Sequence, residues 1–391
     1  MDLRALWLTE NYPPDRGGMA WSCDRIVRNL RRSGVIVDVA CFGRAVAPAA
    51  EWTTEVREGG VELRGPASGD PGHATAVLWN EVHRRHHAAP YTHVVAFGGL
   101  LPLVAAPPFS AWLDVPLVTL VRGNDFDTGL FVPGRGALVR EALAAAAAIG
   151  AVTTEQVKKI RALYPRLPES RVVWTPNGID CSRWRLLPED RARGAAWRRD
   201  NVQAARRVLG FFGQLKRKKG AAFFLEALAD SGVTDRFHLL FAGDLEEDVQ
   251  TWLTARQPPI AHSVLPFRDR YELLPLYAAA DLVVVPSFYD GLPNVLLEAA
   301  ALGIAPLASD AGGMTDVVGA ASGFLFARGD RRACRRAVVR AAEVDDEELA
   351  RLGAAAQAVV AERFQERQET ERYRALLDEA SRVHGRGSSH P

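Results

Sequence analysis

Short apolar runs recur along the chain, each followed by a glycine- or proline-bearing turn and then by residues with helical spacing. Leu3–Thr9, Val35–Cys41, Thr92–Phe97, Pro116–Val121, Ile149–Thr153 and Arg171–Trp174 read as strands in the first half. Arg207–Phe212, Phe237–Gly243, Ser263–Phe267, Asp281–Val285, Ile304–Ser309 and Gly323–Ala327 read as strands in the second. Runs such as Asp281-Leu-Val-Val-Val285 are continuous rather than alternating, the character of parallel strands covered on both faces. Helical spacing predicts helices over Met19–Arg32, Leu138–Ala148, Ala221–Ala229 and Val295–Leu302, the last with Asn294 as N-cap and Gly303 just past its end. From Asp330 onward the chain reads helical. The βα alternation runs twice, so the fold class is α/β with two Rossmann-like halves.

The most informative stretch is Pro286-Ser-Phe-Tyr-Asp-Gly-Leu-Pro-Asn-Val-Leu-Leu-Glu298. It passes from a buried strand through a Gly-Pro loop into a helix. In an open α/β sheet such a junction lies at the carboxyl ends of the strands, where ligands bind. The free N–H groups of the helix start favour an anion. Asp290 and Glu298 flank that terminus, and carboxylates are natural acceptors for sugar hydroxyls.

This stretch resembles the donor-sugar signature of retaining glycosyltransferases of family four with the GT-B fold, in which two acidic residues are separated by seven. Asp290 stands at the first acidic position, where the family has Glu, and Glu298 at the second. Further elements extend the resemblance. Gly17 and Gly18 match a P-x-x-G-G loop, Pro176-Asn-Gly178 a P-N-G turn, Gly213-Gln-Leu-Lys-Arg-Lys-Lys-Gly220 a G-R-L-x-x-x-K-G loop, and Gly312-Gly313 a G-G-x-x-E loop. Gln214 replaces the Arg of that pattern, Asp316 the last Glu, and Arg122 a His.

The resemblance implies two Rossmann-like domains facing a cleft. The expected division is an N-terminal acceptor domain over 1–184, completed by a crossover helix at about 366–384. A linker at 185–206 leads to a donor domain over 207–365, and 385–391 forms a disordered tail. The implied function is transfer of a sugar from a nucleotide-diphosphate sugar, UDP favoured, to a hydroxyl of a glycan, a lipid-linked glycan or a small natural product, with retained configuration. Lys219, Asp290, Arg122 and Asp125 are the implied catalytic residues. Gly17, Gly18, Gly213, Gln214, Lys219, Gly291, Leu292, Pro293, Asn294, Glu298, Gly312 and Gly313 are the implied donor-binding residues. Lys219, the helix start and the Gly17-Gly18 loop would stabilise the departing diphosphate. Asp290 and Gly312-Gly313 would orient the sugar, Glu298 would hold the ribose, and main-chain groups near Leu265–Phe267 would read the base. The nucleotide sugar is a co-substrate; no cofactor and no metal are expected. The alternatives are a catalytically silent homologue that binds nucleotide sugar or serves a partner subunit, and another GT-B activity such as a nucleotide-sugar epimerase.

Other features narrow the picture. The first β–loop–α–β unit lacks G-x-G-x-x-G, and no acidic residue ends its second strand, which disfavours a dinucleotide enzyme. Asp125-Phe-Asp127 spells a D-x-D, a tripeptide that arises often by chance and lies in the half opposite the donor element. Across 391 residues, 48 basic side chains face 47 acidic ones, which argues against bulk nucleic-acid binding. Cys23, Cys41, Cys181 and Cys334 are scattered and suit reduced thiols in a cytoplasmic protein. Arg25, Arg28 and Arg32 fall on one helix face, a candidate for peripheral contact with the inner membrane surface.

Overall fold

The computed structural model of the chain describes residues 3–15, 17–43, 52–66, 71–203, 206–255 and 259–387. The chain divides into two compact units, Met1–Asn177 with Glu366–Pro391, and Gly178–Gln365.

Unit 1 holds β1 (Arg4–Thr9), β2 (Ile36–Gly43), β3 (Thr53–Arg57), β4 (Gly60–Pro66), β5 (His93–Phe97), β6 (Leu117–Val121), β7 (Ala148–Ala151) and β8 (Val172–Trp174). They form one sheet in the order β3-β4-β2-β1-β5-β6-β7-β8. Every pairing is parallel except β3 with β4. Side chains alternate across β1: Leu6 and Leu8 enter one core with Phe42, Leu63 and Phe109, while Ala5 and Trp7 enter another with Ile26 and Leu30. Both faces are covered, which is why the strand reads as an unbroken apolar run. The C-terminal helix Glu366–Gly387 closes the second face with Tyr373, Leu376, Leu377 and Ala380, spaced to share one helix side.

Unit 2 holds β9 (Arg207–Phe212), β10 (Phe237–Ala242), β11 (His262–Leu265), β12 (Leu282–Val285), β13 (Ala305–Ser309) and β14 (Phe324–Phe326). Their order is β11-β10-β9-β12-β13-β14, all parallel. From β9 the chain adds strands on one side, then crosses to add the others beyond β12. The loops after β9 and β12 therefore diverge at a topological switch point.

Three expectations are corrected. The supposed linker at 185–206 contains a helix, Pro188–Asn201, built into unit 2. Asp190 caps its first turn by accepting from the Leu187 N–H at 2.9 Å. Gly194 lies against the helix Arg270–Ala279, so close that a Cβ there would sit 2.6 Å from the Pro275 carbonyl oxygen. Arg198 pairs with Asp281 at 2.8 Å. This docking uses a glycine and polar groups rather than an apolar stripe, so periodicity does not reveal it. At the other end, the last helix runs to Gly387, so 385–387 are helical rather than a disordered tail; 388–391 lie outside the described residues. Finally, the hairpin β3–β4 and the helices Pro71–Ala88 and Leu100–Leu113 were not among the predicted elements. β3 is exposed throughout and carries no apolar run, and Leu100–Leu113 contains Pro107 and Pro108, which read as breakers.

Candidate functional site

The switch point of unit 2 brings two distant loops together. After β9, Gly213 turns with φ +90° and Lys216–Gly220 wind into a short turn that feeds the helix Ala221–Ala229. After β12, Pro286–Pro293 lead to the helix Asn294–Ala301. The Phe288 N–H donates to the Lys218 carbonyl at 2.9 Å, tying one loop to the other. The Lys219 ammonium then forms an ion pair with Asp290 Oδ2. Asp290 Oδ1 also accepts the Gly291 N–H at 3.0 Å. Burial pushes the Asp290 carboxyl up, but the charges of Lys219 and Lys218 and these hydrogen bonds outweigh it and hold it below the usual carboxylate value.

A third loop follows β13. Gly312 adopts φ +56° and packs so tightly that a Cβ would lie 2.0 Å from the Asp290 carbonyl oxygen; only glycine fits both the conformation and the space. The Gly313 N–H donates to the Gly291 carbonyl at 2.9 Å. Gly291, Leu292 and Pro293 are buried, and Gln214 is half-buried beside Gly213.

Asn294 is the first helical residue rather than the N-cap; that place belongs to Pro293, whose extended φ −66° and ψ 131° lead the chain into the helix. Gly303 follows the helix with φ +74°, the position expected for it. Glu298 lies one turn into this helix. Its Oε2 accepts the Tyr277 hydroxyl at 2.7 Å. Tyr277 is fully buried, packed on Phe212 with ring centroids 4.2 Å apart and edge-on to Trp184 at 6.1 Å. Burial first, and then the Glu298 charge, push its phenol well above the ordinary range, so it stays a donor. Tyr277 was not singled out from the sequence; its place in the apolar Leu276-Tyr277-Ala278 run marks it as core.

In unit 1, Gly17 has φ +129° and open space where a Cβ would stand, and Gly18 begins the helix Gly18–Arg32. Glu10, at the end of β1, accepts the N–H groups of Leu100 and Leu101 at 2.9 and 2.7 Å and so caps the helix Leu100–Leu113. Arg122 is only 8% exposed. Its guanidinium donates to the Tyr373 hydroxyl at 2.7 Å and to Asn177 Oδ1, and lies 5.0 Å over the Phe97 ring. Asp125 accepts the Arg122 backbone N–H at 2.9 Å, and burial raises its carboxyl to about 6. Asp127 turns to other partners, Gln156 at 2.9 Å and Lys159 at 3.0 Å. The two carboxylates of the D-x-D are thus committed separately. Among the described residues, no group of three or more His, Cys, Asp or Glu side chains is placed to hold a metal.

The sequence profile of the Glycosyl transferases group 1 matches residues 196–359, and that of Glycosyltransferase Family 4 matches residues 16–183. The chain belongs to the group 1 glycosyltransferases. Curated relatives agree. Alpha-maltose-1-phosphate synthase of Mycobacterium tuberculosis is 28% identical over 332 residues, 81% of this chain and 82% of the relative. D-inositol 3-phosphate glycosyltransferase 1 of Catenulispora acidiphila is 28% identical over 387 residues, 88% of this chain and 86% of the relative. Among solved structures, HepE of Anabaena in complex with UDP and glucose superposes with a TM-score of 0.75 at 19% identity, covering 96% of this chain and 99% of that one. Sucrose-phosphate synthase of Thermosynechococcus elongatus gives 0.76 at 18% identity, covering 97% and 100%. These likenesses show the GT-B fold.

Within this glycosyltransferase the expected basic face of the first helix divides. Arg25 is not presented at the surface: it makes a two-pronged ion pair with Glu369, both contacts at 2.9 Å, with side chains 11% and 1% exposed. Arg28 and Arg32 are exposed. No helix among the described residues is long and apolar enough to cross a membrane.

Proposed function

We propose that this glycosyltransferase moves a sugar from a nucleoside-diphosphate sugar, with UDP favoured, onto an acceptor hydroxyl, with retention at the anomeric carbon and without a divalent metal. The observation that carries this reading is the meeting of Lys219 and Asp290 beside the start of the helix Asn294–Ala301. That corner offers a cation and the positive end of a helix dipole for a diphosphate, and a carboxylate for sugar hydroxyls. HepE, of the same fold, was solved with UDP and glucose.

In this reading the bond from the anomeric carbon to the diphosphate oxygen breaks, and its electron pair leaves with the diphosphate. Lys219 and the helix start stabilise that developing charge, with Gly213 and Gln214 alongside. The acceptor oxygen bonds to the same face of the sugar carbon and passes its proton to the departing phosphate. Asp290, with Gly312 and Gly313, orients the sugar. Glu298, steadied by Tyr277, accepts ribose hydroxyls. Unit 1 holds the acceptor; Arg122 acts there as a positioning residue through Tyr373 and Asn177 rather than by open contact. The free thiols support a reducing, cytoplasmic setting.

A second reading, a nucleotide-sugar binder without turnover, is favoured by one observation: Gln214 supplies no charge where an arginine would. The deciding experiment is a thermal-shift screen of nucleotides and nucleotide sugars, followed by donor hydrolysis in the absence of acceptor. Stabilisation by a UDP-sugar with slow hydrolysis supports the transferase. Stabilisation with no hydrolysis and no transfer supports the silent binder, and no stabilisation by any nucleotide removes both.

A further inference from the structure

Unit 1 has a switch point of its own. From β1 the chain adds β2 and β4 on one side and then crosses to β5 on the other, so the loops after β1 and β5 diverge. Glu10, at the end of β1, bridges them. Its Oε1 accepts both the Leu100 and the Leu101 N–H, at 2.9 and 2.7 Å. Its Oε2 accepts no hydrogen bond from the described residues. Gly99 beside it has φ +78°, and a Cβ there would lie 2.8 Å from that oxygen, so the glycine keeps this side of the carboxylate clear of a side chain. Leu101 also begins a groove of about 540 Å³ between the helices Pro71–Ala88 and Leu100–Leu113. Gly72, Ala76 and Trp79 line one wall, and Leu101, Val104 and Pro108 the other; no lining side chain is charged. The groove starts where β5 ends and follows the helix for about 10 Å, the rise from Leu101 to Pro108. At its far end Trp79 stacks on Trp112, with centroids 4.3 Å apart, and Trp112 on His83 at 5.5 Å.

We infer that Glu10 and this groove form one acceptor site, which takes a small uncharged molecule with a flat apolar body and two or more hydroxyls. The inference rests on the transferase reading, which makes unit 1 the acceptor-holding unit. The volume lies within the range of small-molecule sites, roughly 300–1,000 Å³. Aliphatic walls that end on stacked indole rings suit a flat ring system, and they offer no partner to an anion. Leu101 joins the two halves of the site: its N–H fixes Glu10 Oε1, and the same residue opens the groove. With Oε1 held twice, the carboxylate cannot turn, and Oε2 is left to accept one acceptor hydroxyl in a charge-assisted bond. A second hydroxyl remains to receive the sugar and to pass its proton to the departing phosphate.

The test is equilibrium dialysis on the full chain. The probes are naphthoresorcinol, its dimethyl ether and resorcinol, with UDP titrated separately. Naphthoresorcinol should bind, and its dimethyl ether should bind about tenfold more weakly or worse, the scale of one charged hydrogen bond. Resorcinol, which lacks the second ring, should also bind more weakly. Glu10→Gln keeps an oxygen for the two N–H groups and should shrink the preference for naphthoresorcinol over its ether. A Glu10 that only capped the helix would leave that preference unchanged. Ala76→Arg alters an exposed position, folds as the parent does by circular dichroism, and should weaken naphthoresorcinol about tenfold or more by filling the groove. Equal affinity for naphthoresorcinol and either of the other probes, or unchanged affinity in Ala76→Arg, overturns the inference. So does naphthoresorcinol that binds but gains no sugar, by mass spectrometry, while the donor is hydrolysed. If UDP binds, Lys219→Ala abolishes that binding and naphthoresorcinol does not bind, the inference alone fails. If naphthoresorcinol binds in the groove and no nucleoside diphosphate binds, the transferase reading fails and the groove remains a ligand site.

Discussion

Lys219 and Asp290, separated by 71 positions in the chain, form an ion pair where the loops after β9 and β12 diverge. Without ligand each neutralises the other. A diphosphate arriving at Lys219 must share or replace Asp290 as its anion. We predict that Lys219→Ala lowers kcat/KM by roughly 10²-fold or more, the scale of a preorganised charge lost at a developing anion. Asp290→Asn should weaken the nucleotide sugar yet leave free UDP bound as well as before or more tightly, because Lys219 is released. Calorimetry of both ligands decides this; equal losses with and without the sugar would show that Asp290 does not serve the sugar.

The bond from Tyr277 to Glu298 sets a second prediction. Glu298→Gln should cost about 1.5–3 kcal/mol of UDP affinity if the carboxylate accepts ribose hydroxyls. Tyr277→Phe removes the donor that orients it. In both variants the preference for UDP over its 2′- and 3′-deoxy analogues should shrink. A merely structural Tyr277 would weaken all these nucleotides equally, so the affinity ratio is the quantity to measure.

Donor turnover should persist in EDTA. Asp125 and Asp127 have separate protein partners, and Lys219 with a helix start stands where the diphosphate is proposed to bind. Loss of activity in EDTA, restored by Mn²⁺ and absent in Asp127→Ala, would overturn metal independence.

Asp125 gives a pH signature. Its folded carboxyl, raised to about 6, lies above the ordinary value of 3.8. The folded state therefore binds this proton more tightly than the unfolded state. The contribution of Asp125 to stability increases as pH falls from about 6 to 3.8 and is flat outside that window. Asp290 has the opposite sign: its contribution is present above the usual carboxylate value and is lost as pH falls below it. Urea midpoints across pH 3.5–7, compared with Asp125→Asn, should show a smaller change through the upper window in the variant. Parallel curves would refute the assignment.

Arg25→Ala should destabilise unit 1 by about 3–5 kcal/mol, because it leaves Glu369 charged and buried without its partner. The double variant Arg25→Met, Glu369→Leu should recover most of that loss. Denaturant unfolding followed by tryptophan fluorescence measures both.

The repeated βα order, the parallel and doubly covered strands, and the glycine turns at strand ends are all legible in the chain's residue pattern. These are local properties, expressed in apolar runs, helical spacing and turn residues within a few positions of one another. Thus Arg207–Phe212 and Ala221–Ala229 were legible to the residue. The tertiary structure alone decided which polar groups meet. Arg25 reads as a surface residue until Glu369, 344 positions later, is seen to lie against it. Arg122 reads as open until Tyr373 and Asn177 close around it. Tyr277 reads as core until its hydroxyl is found on Glu298, and the arginines around Glu62 are scattered until a hairpin without apolar signal folds beside the first helix. Such partnerships depend on strand order and on the switch points, and neither leaves a period in the sequence.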